Sequence, residues 1–260
     1  MFTYRGPSNR KRNLPLAASP GHKGRGEAAQ GLTHMTIPTQ PRSGPEPDLA
    51  KLRLAISEDR FRTYLATTAG DELVAWRLYE WGLAAASGFQ LPLHALEITL
   101  RNAMHGAIAQ VYGSDWLSAL SAGPNLRRVE RDMIAQAAER LRREAKVATP
   151  PAMIAALPFG FWVALLASHH DQGLWRTAGH RAFHGRHRRR HLHEDLERVR
   201  TLRNRIAHHE HLLNRNLEQD ARRVERLLMA LNPDVGLWVD QRSTLSEVLG
   251  QRPTTPASTS

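Results

Sequence analysis

From Asp48 onward, apolar residues recur at steps of three and four, with polar and charged residues between them. That period aligns side chains on one face of a helix, whereas a half-buried strand alternates at every second residue. Leu49, Leu52, Ile56 and Leu65 keep the helical spacing as far as Gly70, a stop signal. Asp71 opens a second segment, in which Leu73, Trp76, Leu83 and the neighbouring Tyr79 predict an apolar face ending at Gly88. A third segment carries Leu93, Leu96, Leu100, Met104, Ala107 and Val111. A fourth, predicted over 124–146 with Pro124 at its start, carries Leu126, Val129, Met133, Ala137 and Leu141. Pro150 and Pro151 begin a mostly apolar stretch in which Pro158 and Gly160 mark a helix break. Two more helices are predicted, Leu192 to His209 and Leu217 to Leu231, and Gly236 to Asp240 alone alternates like a strand. The predicted fold class is all-α: a helical bundle over 48–235, then a C-terminal extension, 236–260, ending in a disordered tail.

Composition narrows this picture. At 41% hydrophobic residues the chain can bury a substantial core, which excludes wholesale disorder. The absence of cysteine excludes a disulfide scaffold, an iron–sulfur cluster, a thiolate zinc site and a cysteine nucleophile, and it accords with a cytoplasmic setting. The basic N-terminus has no long apolar run, so no secretory signal is expected. The longest apolar stretch, Ala152 to Ala167, is 16 residues and falls short of the roughly 20 that a membrane helix needs, so no membrane association is expected.

Charge is unevenly placed. Of the net +11, residues 1–47 hold seven Lys+Arg against two acids, and residues 176–193 hold six Arg and no acid. The remainder balances at 23 against 23. Residues 1–47, rich in Pro, Gly, Ser and Arg and without apolar periodicity, are read as a disordered basic tail whose contact with nucleic acid would be unspecific. A neutral body with two basic additions points to a polyanion partner, RNA in particular.

The helix predicted from Leu192 has a polar ridge beside its apolar seam. With Leu196 at zero on a wheel advancing about 100° per residue, Leu192, Val199, Leu202 and Ile206 fall between about 240° and 320°. Arg200, Asn204 and His208 fall at about 40°, 80° and 120°, and Arg203 near 340°, at the margin of the seam. Histidine exchanges a proton near neutrality, and arginine offers a permanent planar charge that matches a phosphate. Together they suffice for RNA cleavage without a metal: the base takes the ribose 2′-OH proton, the oxygen attacks phosphorus, and arginine opposes the growing charge. One ridge supplies one well-placed histidine, so the leaving group needs a second from a two-fold partner. Read from local chemistry alone, the same residues are a surface arginine and a histidine at a helix end, each worth under about 1 kcal/mol.

Strings elsewhere in the chain tip the balance. LYEWG (78–82), ALEITLRNAMHGAIAQVYGSDW (95–116), LPFGFWVALL (157–166), LW (174–175) and LRNRIAHHE (202–210) occur in this order. The last contains R-x4-H, from Arg203 to His208, and the set resembles the Abi-like (abortive infection) family of the HEPN superfamily over roughly residues 50–235. The resemblance implies an all-α, metal-independent endoribonuclease that needs no cofactor and acts as a homodimer in phage defence or a toxin–antitoxin-like system. It implies an inhibitory, antitoxin-like partner, with Arg203 and His208 as the catalytic pair and Asn204 and His209 in support. Glu97 and Arg101 match a pattern that organises the site from a second helix; by spacing alone they are an i, i+4 ion pair adding about 0.3–0.5 kcal/mol. The alternative from another class is a non-catalytic helical module that binds RNA or a protein.

The basic segment lies outside the resemblance. His180, His184, His187, His191 and His193 include two i, i+4 pairs, but five interleaved arginines and no carboxylate oppose a dication, so no metal is expected there. Arg186, Arg188, Arg189 and Arg190, together with Arg200, are read as contacts to an RNA backbone.

Overall fold

The computed structural model describes residues 47–118 and 123–254. Most of the expected N-terminal tail, 1–46, and the chain from 255 onward lie outside the described residues. The rest is all-α, with no strand among the described residues. The helices are α1 (Leu49–Ile56), α2 (Glu58–Thr67), α3 (Glu72–Gly88), α4 (Gln90–Tyr112), α5 (Arg128–Arg143), α6 (Pro150–Ala156), α7 (Phe159–Ala164), α8 (Arg189–Ala207), α9 (Leu217–Leu231), α10 (Pro233–Asp240) and α11 (Leu245–Gly250). Tight helical turns at Ser168–His170, Asp171–Trp175 and Gly179–Ala182 join α7 to α8. No helix of the described residues is long and apolar enough to cross a membrane.

Starts and stops follow local chemistry. Asp71 accepts from the Val74 N–H at 2.9 Å, and Asn216 from the Gln219 N–H at 2.8 Å, each satisfying an otherwise orphaned helix donor. Gly113, at φ 89°, ends α4 in a conformation that costs glycine little. Leu157 turns extended between α6 and α7, and the break expected at Pro158 is there, with Pro158 as the residue before α7.

The centre of the bundle is α9, which packs against α4, α8, α10 and α11. Leu96, Leu100 and Met104 of α4 are fully buried, as are Leu196, Val199 and Leu202 of α8. Trp116, Phe161 and Trp162 form a second buried group, the last two in an edge-to-face pair 5.1 Å apart. Trp81 donates its indole N–H to the Val248 carbonyl at 2.8 Å, tying α3 to α11.

Several expectations are corrected. The first predicted helix is two, broken at Ser57, whose φ of 85° no α-helix accommodates. On α3 the buried row is Ala75, Trp76, Leu78, Trp81 and Ala85, while Leu73 and Leu83 are more than half exposed. Large aromatics at 76 and 81 fixed the rotation of this helix, because burying an indole removes more apolar area than burying a leucine. The fourth helix starts at Arg128, four residues beyond Pro124, and Val129 faces out while Glu130 faces in. The strand-like run Gly236 to Asp240 is helical: Asn232 caps α10 by accepting from the Asp234 and Val235 N–H groups, and Pro233 takes the first position. A side-chain carbon at Gly236 would meet the Met229 sulfur, the end of a flexible and partly exposed side chain, so the glycine lets Met229 lie against α10. The expected boundary at 235/236 therefore cuts through α10, and the bundle continues through α11.

Candidate functional site

The five apolar positions of α8 identified on the wheel are all buried, which leaves the polar ridge on its flank. The helix ends at Ala207, two residues before the expected end, in a motif that closes the last carbonyls. The His209 N–H donates to the Ile206 carbonyl at 3.1 Å, and the Glu210 N–H to the Arg205 carbonyl at 2.9 Å. The residue that turns left-handed in this motif is usually glycine; here it is His209, at φ 55°. His208 is thereby the C-cap, exposed at the helix end, with its N–H donating to the Asn204 carbonyl at 2.9 Å. His209 takes part as backbone geometry, and Arg205 braces the turn through Glu210, 3.3 Å away. His209→Gly is therefore expected to stabilise the fold by about 0.5–1 kcal/mol, because glycine pays no steric penalty at positive φ. A higher urea midpoint with an unchanged slope is the expected readout. An unchanged or lower midpoint would mean that the His209 ring makes compensating contacts.

A second row comes from α4. Glu97 reaches across to Arg203, with Oε2 3.7 Å from Nε, so two strings more than 100 residues apart meet on one partly exposed flank. The intrahelical pair between Glu97 and Arg101 does not form. Arg101 instead keeps its Nε–H buried and without a hydrogen-bond partner among the described residues. An unsatisfied buried guanidinium donor of this kind is costly on its own. His105, one turn further along α4, is half-buried and packs on the core: its Nδ1 accepts the Trp116 indole N–H at 3.1 Å, and the rings stack.

Burial depresses the pKa of His105. An imidazole that is harder to protonate in the fold than in the unfolded chain stabilises fully above its ordinary pKa of about 6.5, and that contribution is lost as pH falls below it. Stability of the wild-type chain should therefore decline between about pH 7 and pH 5 more steeply than that of His105→Gln, whose amide oxygen can still accept from Trp116. Equal slopes in urea titrations at the two pH values would contradict this assignment.

The basic segment divides. Arg186 and Arg188 are exposed and, with Arg226 of α9, line an open cleft of about 790 Å³ that also takes in His184, His187 and His191. Glu194, Asp195 and Glu225 line the same cleft, so its charge is mixed. Arg190 pairs with Glu194 at 2.7 Å, and Arg200 with Glu197 at 2.7 Å. Arg189, expected on an RNA backbone, is turned inward: it pairs with Asp171 at 2.9 Å, donates to the Leu166 carbonyl, and its side chain is 12% exposed. The structure thus makes Arg189 a brace between α8 and the turns before it. His180 and His187 donate ring N–H groups to the carbonyls of Trp175 and His184.

Two buried polar clusters had no counterpart in the sequence reading. Asp220 of α9, 2% exposed, accepts from Arg215 and Arg223 at 2.8 Å each, and Arg223 also reaches Asp195 of α8 at 3.3 Å. Glu130 at the start of α5 meets His169 and His170. Asp220 and Arg223 are an i, i+3 pair on α9, but the other partners in these clusters lie up to 40 residues apart, so no local pattern announces the clusters. Comparison of the chain with protein-family models, with curated proteins and with solved structures returns no match.

Proposed function

We propose that this protein is a metal-independent endoribonuclease of the HEPN type, acting as a homodimer in abortive infection or a toxin–antitoxin-like system. The single observation that supports this best is the meeting of the strings 96–105 and 202–215: Glu97 holds Arg203 at 3.7 Å beside a helix end that presents His208 to solvent. Neutral His208 takes the ribose 2′-OH proton, and the 2′-oxygen bonds to phosphorus. The P–O5′ bond breaks, leaving a 2′,3′-cyclic phosphate, and the departing oxygen takes a proton from the partner's His208 in its imidazolium form. Arg203 opposes the charge that builds on the phosphoryl oxygens, and Arg101, half-buried on α4 one turn from Glu97, supports the site from the second helix. Asn204, half-buried on the ridge, orients the substrate. An antitoxin-like protein that covers the exposed ridge would silence the enzyme.

Purified protein incubated with RNA in EDTA should yield 2′,3′-cyclic phosphate and 5′-OH ends. Cleavage that stops in EDTA, or that leaves 5′-phosphate ends, would sink the mechanism. A second reading, a non-catalytic RNA-binding module, is favoured by the cleft lined by Arg186, Arg188 and Arg226, which has no need of His208. RNA retention by the wild type in a gel shift, without any cleavage, would select it.

A further inference from the structure

We infer that Glu130, His169 and His170 form a binding site for a zinc-type transition-metal ion, separate from the Arg203–His208 ridge. Glu130 sits in the first turn of α5, where its Oε2 accepts the Arg127 backbone N–H at 2.6 Å. That bond fixes the carboxylate and aims Oε1 at the Ser168–His170 turn. Two histidines adjacent in sequence usually point apart, but this tight turn brings their rings to 4.1 Å between centroids. Both Nε2 atoms reach the same oxygen, His169 at 3.0 Å and His170 at 2.9 Å. Three ligand atoms of transition-metal type thus converge within 4.8 Å of one another.

The chemistry of the set selects the ion. Two imidazole nitrogens and one carboxylate oxygen suit zinc, cobalt, nickel or copper, whereas calcium and magnesium demand oxygen shells. Without a metal, one oxygen must take both imidazole protons; a dication about 2.0–2.2 Å from each ligand replaces them with a single centre of charge. The side chains of Glu130 and His170 are 3% exposed and that of His169 is 21% exposed, so His169 is the side from which an ion would enter. A bound ion would pin α5 to the turn that leads through Asp171 and Arg189 into α8.

The experiment uses the full chain, stripped with chelator and titrated with Zn²⁺ in competition with a chromophoric chelator. One Zn²⁺ per chain is expected, with affinity lowered about 100-fold or more in His169→Gln and in Glu130→Gln. The triple variant His184→Gln/His187→Gln/His191→Gln should bind as the wild type does. Co²⁺ should give visible absorption bands in the wild type that His169→Gln lacks. His169→Gln keeps the partly exposed position polar, and circular dichroism reports whether it folds. Wild-type binding no tighter than that of folded His169→Gln, or binding abolished by the triple variant, would overturn the site. None of these readouts depends on RNA cleavage.

Discussion

Replacing His208 by alanine is expected to lower RNA cleavage by about 1,000-fold, while leaving the fold within about 0.5 kcal/mol of wild type. The size follows from the roles assigned to it: in a symmetric dimer one substitution removes both the base that activates the 2′-OH and the acid that protonates the leaving oxygen. The small structural cost follows from exposure, because the backbone N–H of residue 208, which caps α8, is kept by alanine. Arg203→Lys should lose less than Arg203→Ala, since lysine keeps the charge but not the planar fork. Single-turnover cleavage of a labelled RNA in EDTA, with parallel urea denaturation, separates the two effects. Undiminished cutting by His208→Ala would refute the assignment. Toxicity on expression that His208→Ala relieves is the corresponding result in cells.

The largest stability effect is expected at Asp220. Its carboxylate is 2% exposed and compensates Arg223, itself 7% exposed, as well as Arg215 in the turn that follows His208. Asp220→Ala strands a buried guanidinium, with Asp195 as its remaining partner at 3.3 Å. A loss of about 3–5 kcal/mol is expected, read as a lower urea midpoint. Asp220→Leu combined with Arg223→Met should recover much of it, because an apolar pair of similar size needs no compensating charge. If Asp220→Ala unfolds no earlier than wild type, or if the double variant is worse than the single one, the network is not holding α8 and α9 together as described. Arg215 also touches the Arg198 carbonyl, so the same substitution loosens the segment that carries His208 and should reduce cleavage as well.

Helices whose faces are uniform were legible along the chain. On α8, Leu192, Leu196, Val199, Leu202 and Ile206 repeat at helical spacing, and α9 runs from Leu217 to Leu231 as its pattern predicts. Burying one continuous apolar face is a local requirement, so the residues that meet it are visible along the chain. Rotation was less legible on α3, where Trp76 and Trp81 outweighed Leu73 and Leu83, and α10 is too short to show its period. Of the candidate site, the Arg, Asn and His ridge could be read from spacing, and its strings resembled a family. That Glu97 meets Arg203 rather than Arg101, that Arg189 turns inward, and that His208 stands at a helix end closed by a left-handed His209 were decided by the tertiary structure. So were Asp220 with its arginines and Glu130 with its two histidines. A charged side chain chooses its partner by distance in the folded molecule, and that distance depends on how whole helices pack, not on the residues next to it in the chain.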